Sequence, residues 1–428
     1  MSAEILIWVL LFSFLALGIP IYVAIGASTV IVLLQSELPL TIIPLDLFKV
    51  TDMFPLLAVP AFILAGALME RLGIANQIVE FIMMLVGRMR GGLGVVTILG
   101  CVFFAAMIGS GPATVAAMGS IMIPSMIKRG YSVDYAAGVC STGGTLGILI
   151  PPSNPMILYG VIANVSISGL FMAGFIPGFL VGLVLILTAY SIARKQGFGG
   201  STERYEVKEI IQCFGRNFWS LLSPIIILGG IYLGVFTPVE ASVVAVFYAL
   251  LVGFIVNKTL SWQKIKESID MTNVATSTVV IVVGVSVLFG RFLTLYQVPH
   301  KLTEMLLSIT DSPYMVLTMI LAFLFILGMF MDTLATIVIL APILVPVITS
   351  LGIDPIFFGI LWVMANEVAL LTPPLGPNLF IAMNLTGISL ERASKSILPY
   401  TAALIITVFL VMRFGEGLVL FLPRLMGH

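Results

Sequence analysis

The sequence predicts an all-α integral membrane protein built from two inverted repeats. Of its 428 residues, 60% are hydrophobic and only 9% are charged, whereas a soluble domain carries about 25% charged residues. Long apolar runs alternate with short polar loops, and the same interruptions of these runs occur in both halves. So few polar side chains cannot cover a globular surface in water, and lipid must therefore be the main solvent of the fold.

Most of the apolar runs can cross a bilayer as continuous helices, since a full crossing needs roughly 20 apolar residues. The runs predict helices over residues 3–18, 20–36, 53–72, 168–193, 217–235, 238–257, 271–296 and 397–421. Two shorter amphipathic segments, 75–90 and 299–309, are better suited to lie as arms in the membrane interface.

Four further apolar stretches are interrupted by glycine, proline and polar residues. Residues 92–127 and 313–349 break at the segments GSGP and GMFMD, which predicts two re-entrant hairpins of half-length helices with polar tips. Residues 131–164 and 354–386 contain GGTLGILIPPSNP and TPPLGPN, which predicts discontinuous helices that cross in two halves. The chain would then make about ten crossings and two re-entrant hairpins.

The loops predict the orientation of the chain. An odd number of crossings in each half turns the second half upside down. With the N-terminus outside, most Lys and Arg residues fall in inner loops, as the positive-inside bias favours. Both termini are therefore expected outside, and residues 196–216 are predicted to link a first repeat, 1–195, to a second, 217–428.

The internal repeat is visible as matching prolines. With the offset that places residue 110 on residue 332, residues 110–177 align with 332–399 without a gap, and Pro151-Pro152 meets Pro373-Pro374. Proline fixes backbone shape, so this match reports the same breaks in both halves. Duplicated, inverted, broken helices are the best sequence indication of a secondary transporter's site at the bilayer midplane.

The chemistry of such breaks favours ions. An interrupted helix in lipid leaves main-chain polar groups unpaired; its carbonyl oxygens suit Na⁺ and its helix N-termini suit anions. Ser110 and Asp332 align as candidate N-caps, and a carboxylate in lipid such as Asp332 is a functional candidate by default. Glu367 is a weaker candidate, for which burial against a neighbouring helix in a protonated or hydrogen-bonded form is the alternative. Arg291 is expected to extend to the headgroups, and a functional ion pair is the less favoured alternative. Simple proline kinks and ordinary helix caps remain the alternative interpretation.

Five motifs then resemble a known family. GSGPAT (109–114), GGTLGILIPPSNP (143–155), FMAGFIPG (171–178), DTLAT (332–336) and TPPLGPN (372–378) resemble the large, DctM-type membrane subunit of tripartite ATP-independent periplasmic (TRAP) transporters. The resemblance extends over essentially the whole chain and is nearest to the sialic-acid members. The glycine-rich break also resembles the wider superfamily of sodium-coupled dicarboxylate carriers.

The resemblance implies a bacterial inner-membrane permease that is driven by Na⁺. It would work with a small four-helix membrane subunit and a periplasmic binding protein that delivers an organic acid. An elevator motion would carry a transport domain past the scaffold helices 1–72 and 217–296, and the termini would be periplasmic.

The resemblance also implies two sodium sites and a substrate site between the two tips. The first sodium site would be formed by Ser110, Gly111, Gly143, Gly144 and Thr145. The second would be formed by Met331, Asp332, Thr333, Asn366, Thr372 and Pro373. The substrate site would include Thr114, Pro152, Ser153, Asn154, Thr336, Pro374, Gly376 and Asn378.

Other function classes are less well supported. A stand-alone sodium/dicarboxylate symporter or antiporter would have the same breaks and stays open. An enzyme is not expected, because the only histidines are His300 and His428 and no catalytic or metal-binding pattern is visible. No basic run indicates nucleic acid.

Overall fold

The computed structural model describes residues 3–35, 39–199 and 205–427. Regular secondary structure in these ranges is entirely helical, which confirms the predicted class. The first half contains Ala3–Ala16, Ile21–Leu34, Ile42–Lys49, Ala58–Arg71, Ile74–Val86, Gly92–Ile108, Gly111–Lys128, Val133–Gly143, Leu146–Leu149, Asn154–Ala163 and Ile167–Lys195. The second contains Val207–Tyr232, Pro238–Leu251, Trp262–Leu295, Val298–Ile309, Pro313–Gly328, Thr333–Ser350, Pro355–Ala369, Pro377–Thr386, Leu390–Phe414, Glu416–Val419 and Phe421–Leu425.

The helices are interrupted where the sequence predicts. Gly92–Ile108 and Gly111–Lys128 form the first hairpin, and Pro313–Gly328 and Thr333–Ser350 form the second. The first broken helix comprises Val133–Gly143, Leu146–Leu149 and Asn154–Ala163, and the second comprises Pro355–Ala369 and Pro377–Thr386. The loops within the broken helices are called the first break and the second break below.

The number of helices that can span a membrane is close to the predicted number. By length and composition, eight of the described helices qualify, or nine if the bent pair Val298–Ile309 and Pro313–Gly328 is one span. The first two helices do not qualify because each has 14 residues, a length of about 21 Å. Conversely, the hairpin limb Thr333–Ser350 meets the length requirement although we predict that it re-enters. The arm Val298–Ile309 turns by 115° into the second hairpin.

Several predicted boundaries are wrong at the polar ends of helices. Residues 207–216, predicted as linker, belong to Val207–Tyr232, and the helix predicted from residue 271 begins at Trp262. The helix predicted over 397–421 runs from Leu390 to Phe414. Apolar length marks only the part of a helix inside lipid, so polar extensions into water are missed. Residue 36 and linker residues 200–204 lie outside the described ranges.

The helices pack in two groups. The first contains the helices before Ile74 together with Val207–Tyr232, Pro238–Leu251 and Trp262–Leu295; the second contains both hairpins, both broken helices and the helices that follow them. The arm Ile74–Val86 packs against members of both groups, as does the arm Val298–Ile309. The assignment of these groups as scaffold and moving domain stays a prediction, as does the inverted orientation of the halves.

An ion pair in the first group gives Arg291 a buried partner that the sequence does not predict. Its Nε lies 3.1 Å from Oδ2 of Asp46, a carboxylate that is 1% exposed, whereas Arg291 is 38% exposed. Asp46 belongs to Ile42–Lys49, a helix that the sequence does not predict. Neither Asp46 oxygen accepts a well-aligned hydrogen bond in the described ranges. Arg291 therefore compensates a buried charge, and the extension of its exposed part to the headgroups stays a prediction.

Three ion pairs join helices through arginines that are predicted to lie on the inner side. Arg71 pairs with Glu267, Arg216 pairs with Glu80, and Arg392 pairs with Asp134 at 2.8 Å. Each of these arginines thus contacts a distant part of the chain, as expected for residues that lie on one side of the membrane. Which face of the membrane they occupy stays a prediction.

Replacing Arg291 with Met should destabilise the protein by about 3 kcal/mol, because the Asp46 carboxylate would stay buried without compensation. Adding Asp46→Leu to Arg291→Met should recover most of that loss. Lys395→Met, which removes an exposed pair with Glu391, should cost at most about 1 kcal/mol. Denaturant unfolding in detergent measures all three, and equal effects of the Arg291 and Lys395 changes would contradict the assignment.

Candidate binding site at the hairpin tips and helix breaks

The tip of the first hairpin is sealed against the first broken helix. The Gly109 carbonyl accepts a hydrogen bond from the Asn154 backbone N–H at 3.2 Å. The Ser110 carbonyl accepts from the Thr114 backbone N–H at 3.1 Å and from Thr114 Oγ1 at 2.8 Å. Ser110 occupies the N-cap position with extended backbone, but its side chain makes no capping bond. Its hydroxyl is therefore not used by the cap.

Two glycines of the first break let main chain contact main chain. A Cβ on Gly144 would lie 2.1 Å from Val115 Cγ2 and 3.1 Å from the Gly111 carbonyl oxygen. A Cβ on Gly147 would lie 2.6 Å from both the Ser110 carbonyl oxygen and Thr114 Oγ1. Any larger residue would push the tip away from the break. The close approach brings the main-chain oxygens of the two segments together.

Asn378 of the second broken helix joins this junction. A Cβ on Gly111 would lie 3.2 Å from Asn378 Oδ1 and 3.2 Å from the Gly144 carbonyl oxygen. Asn378 is fully buried; its Nδ2 donates to the Ser141 carbonyl at 3.4 Å, and its Oδ1 has no hydrogen-bond partner in the described ranges. Two oxygens, one from the main chain and one from this amide, thus lie beside Gly111, and the Gly111 carbonyl oxygen faces Gly144. We call Gly111, Gly144 and Asn378 the first oxygen junction.

The tip of the second hairpin differs from the first in its exposure. Asp332 caps Thr333–Ser350, and its carboxylate accepts from the Leu334 N–H at 3.1 Å. The Asp332 side chain is exposed, and neighbouring Phe330 is 62% exposed. Asp332 is the predicted N-cap, but its carboxylate lies at an accessible surface of the tip and is not enclosed between helices.

A second group of oxygens lies beside this tip. Thr336 Oγ1 donates to the Thr333 carbonyl at 2.9 Å and lies 3.5 Å from Asn366 Oδ1. Asn366 Nδ2 donates to the Trp362 carbonyl at 3.2 Å, which leaves its Oδ1 as an acceptor facing Thr336. The Thr333 hydroxyl is buried and unpartnered among the described residues. We call Thr333, Thr336 and Asn366 the second oxygen junction.

Each tip is joined to the break of its own repeat by a main-chain hydrogen bond. The Met329 carbonyl accepts from the Leu375 N–H at 2.9 Å, which parallels the bond from Asn154 to Gly109. The two proline pairs, Pro151-Pro152 and Pro373-Pro374, both contain a cis peptide bond. The matching prolines of the sequence thus correspond to matching backbone paths.

Other predicted site residues have structural partners. Thr145 Oγ1 donates to the Thr142 carbonyl at 2.8 Å, and Thr372 Oγ1 donates to the Val368 carbonyl at 2.7 Å. Both hydroxyl oxygens keep a lone pair for a ligand. Gly143 packs tightly, since a Cβ there would lie 2.8 Å from Cys101 Sγ. Its surroundings are those of a packing residue.

The predicted substrate residues are divided between the two tips. Ser153 is buried as the cap of Asn154–Ala163, donating to the Ile148 carbonyl at 2.5 Å, and Pro152 is buried beside it. Asn154 is half-buried at the first tip, and its Oδ1 has no partner in the described part of the chain. Pro374 is exposed and Gly376 is buried at the second break, where Pro373 is half-buried. Met331 is half-buried and lines an apolar groove with Thr336.

The structure adds a contact of Asn378 that the sequence does not predict. The sequence predicts Asn378 as a substrate residue, and the structure places its side-chain oxygen at the first oxygen junction; its role toward substrate stays a prediction. Leu370, which the sequence does not single out, also touches this junction, since its Cδ1 would lie 3.0 Å from a Cβ on Gly111. These are contacts between repeats, and no spacing within one repeat reveals them.

Comparison with known proteins finds similarity over nearly the whole chain. A family model described as "Tripartite ATP-independent periplasmic transporter, DctM component" matches residues 8–416. The C4-dicarboxylate TRAP transporter large permease protein DctM of Pseudomonas aeruginosa is 37% identical over 402 residues, covering 94% of this chain and 93% of that protein. The sialic acid TRAP transporter large permease protein SiaM of Vibrio cholerae is 37% identical over 374 residues, covering 87% of each.

Two further similarities concern length and fold. The isethionate TRAP transporter permease protein DctMQ of Oleidesulfovibrio alaskensis is 37% identical over 409 residues, and this chain spans 64% of its length. The crystal structure of the YdaH transporter of Alcanivorax borkumensis superposes with a TM-score of 0.66 over 88% of both chains at 14% identity. The latter similarity supports the fold alone.

Replacing Gly144 with Ala should destabilise the protein by about 1–3 kcal/mol, the usual cost of overpacking, because the new methyl group meets Val115 and the first tip. Gly229→Ala is a matched control, since a Cβ at this helical glycine meets nothing within 4 Å; it should be neutral or stabilising by up to about 1 kcal/mol. Thermal unfolding in detergent compares them. A Gly144 variant as stable as the Gly229 variant would disprove the tight seal.

Proposed function

The chain belongs to the family of DctM components of tripartite ATP-independent periplasmic transporters, and from this premise we propose that it is the large permease subunit of a sodium-coupled importer of an organic acid. It would reside in the bacterial inner membrane with both termini periplasmic. The observation that carries the proposal is the pair of oxygen junctions at the two interrupted helices. The family supplies the general function, and the junctions suggest the coupling ion.

The donors at the junctions suit Na⁺. Both junctions combine uncharged oxygens, from carbonyls, amides and hydroxyls, which are hard ligands for a hard monovalent cation. Asn378 Oδ1 and Thr333 Oγ1 have no partner in the described ranges, and a buried polar atom without a partner is unfavourable. A cation bound at each junction would satisfy these atoms.

An acidic solute fits the ends of the half-helices. Gly111–Lys128 and Asn154–Ala163 begin at the first tip and break, and Thr333–Ser350 and Pro377–Thr386 begin at the second. A helix N-terminus carries partial positive charge and free N–H groups, which favour an anion. The relatives are named for a C4-dicarboxylate, sialic acid and isethionate. The chain is 37% identical to each of these three relatives, so sialic acid is one candidate among the organic acids that we propose as solutes.

We further propose that a small membrane subunit and a periplasmic binding protein are partners, and that transport follows an elevator mechanism. The two packed groups of helices support this division. In the first group, Trp262–Leu295 meets the second hairpin at Gly290, where a Cβ would lie 3.1 Å from Pro342 Cβ. In an elevator, the second group would slide along such contacts with its bound solute.

Uptake into proteoliposomes tests the function. Both membrane subunits should take up a carboxylate such as sialic acid or succinate when a sodium gradient and the matching binding protein are present. Uptake should fail when potassium replaces sodium or when the binding protein is omitted. Sodium-driven uptake by this chain without a binding protein would instead favour a stand-alone symporter.

Thr333→Val should weaken sodium-dependent uptake, raising the half-saturating sodium concentration by about tenfold, the effect of losing one ligand contact of about 1.4 kcal/mol. The change is nearly isosteric and removes a hydroxyl that has no protein partner, so stability should not fall. Thr97→Val is the control, because that buried hydroxyl donates to the Leu93 carbonyl at 2.8 Å away from the breaks. Equal sodium dependence in both variants would remove Thr333 from the cation site.

A disulfide between the two groups should stop transport. Gly290→Cys with Pro342→Cys places two thiols near bonding distance. Oxidation should abolish uptake, and a reductant should restore it, whereas each single variant should transport under both conditions. Unchanged uptake by the fully oxidised pair would contradict sliding at this contact.

A further inference from the structure

Glu367 is the buried carboxylate for which the fold supplies no partner. In the described part of the chain, Asp46 and Glu367 are the acidic residues classed as buried, and Asp46 is paired with Arg291. Glu367 is fully buried, and neither of its oxygens has a hydrogen-bond partner in those ranges. A carboxyl group in such surroundings is either protonated and neutral or, when ionised, compensated by an opposite charge.

Charged groups on the neighbouring helices are engaged elsewhere. Asp332 caps Leu334, Arg392 pairs with Asp134, and Glu416 lies near Arg424. Arg413 lies over the rings of Tyr314 and Phe414. None of these contacts in the described ranges includes Glu367, so an ionised Glu367 would need a bound cation as its compensating charge.

The position of Glu367 connects it with the first oxygen junction. Glu367 lies three residues before Leu370, and residues three apart share one face of a helix with their Cβ atoms about 5–6 Å apart. Leu370 directly touches the junction, since its Cδ1 would lie 3.0 Å from a Cβ on Gly111. Glu367 therefore lies about one helical turn before Leu370, the residue of the second broken helix that touches the junction.

The first junction lacks a charge of its own. Its ligands are main-chain carbonyls and the Asn378 amide, and at the positions that align with Asn366-Glu367 the first repeat has Gly144-Thr145. A cation enclosed there by neutral ligands would leave its charge uncompensated in a low-dielectric interior. The carboxylate of the opposite repeat is placed to provide the missing negative charge.

We propose that Glu367 is the counter-charge of the cation at the first oxygen junction, acting from the second repeat across the interface between repeats. This inference rests on the proposed sodium coupling. It adds a charged residue to a site whose expected ligands are all neutral. It also makes the cation an electrostatic link between the two repeats, because its main-chain ligands belong to the first repeat, whereas Asn378 and the counter-charge belong to the second.

Sodium binding to the assembled membrane complex tests the proposal without any solute. Wild type, Glu367→Gln and Glu367→Asp would be titrated with sodium chloride against choline chloride, following thermal stability and bound radioactive sodium. Glu416→Gln is the matched control at an exposed glutamate, whose side chain is 48% exposed. Potassium chloride controls for ionic strength.

Glu367→Gln should raise the half-saturating sodium concentration by about tenfold or more, since the attraction of the counter-charge is lost. It should also be more stable than wild type without sodium and gain less from sodium, because its side chain needs no compensation. Glu416→Gln should match wild type. If the Gln variant is not recovered folded, Glu367→Asp decides: the shorter carboxylate should keep the sodium response at a higher half-saturating concentration.

A sodium response of Glu367→Gln equal to that of wild type would overturn the role of Glu367, and so would an unchanged sodium affinity in Glu367→Asp. The proposed function would survive either outcome, because wild type would still bind sodium. Failure of wild type itself to respond to sodium would instead reject the sodium coupling on which the inference depends.

Discussion

The rest of the structure depends on one constraint: main-chain polar groups that are released by breaking a helix inside a bilayer must find partners within the protein. Water cannot reach them in the hydrocarbon region, and each unpaired group is costly. The chain meets this requirement by packing each hairpin tip on the break of its own repeat. The bonds from Asn154 to Gly109 and from Leu375 to Met329 are the most direct expression of that solution.

The same constraint explains why glycines are placed at the first break and why main-chain carbonyl oxygens lie close together there. Glycine at 144 and 147 allows tip and break to approach until main-chain atoms touch. Carbonyl groups have two acceptor positions, so an oxygen that satisfies one N–H group can still accept from another group or bind a cation. A surface that satisfies its own main chain therefore already contains the kind of oxygen atoms that the proposed ion site would use as ligands.

The sequence predicts the breaks well because they are local. Proline and glycine restrict the backbone wherever they occur, and their recurrence at residues 151–155 and 373–377 gives the same information twice. The sequence does not predict contacts between residues that are distant in the chain. Asp46 pairs with Arg291, and Asn378 lies at the first junction. Only the packed fold brings these segments together. Helix ends were misplaced because hydropathy records the lipid boundary, whereas a helix can continue into water.

The two repeats share a backbone plan but not a charge distribution, and this difference favours a coupled mechanism. The second tip is exposed at Phe330 and Asp332, whereas the first break is buried throughout residues 141–153. Two identical repeats would each need a complete set of ligands and a charge. Here Asn378 and, in our proposal, Glu367 belong to the second repeat but act at the first junction. The energy of an ion bound there therefore depends on the positions of both broken helices.

Coupling requires that a ligand interact differently with two arrangements of the protein. A site divided between repeats meets that requirement, because relative movement of the broken helices changes the separation between the cation and its counter-charge.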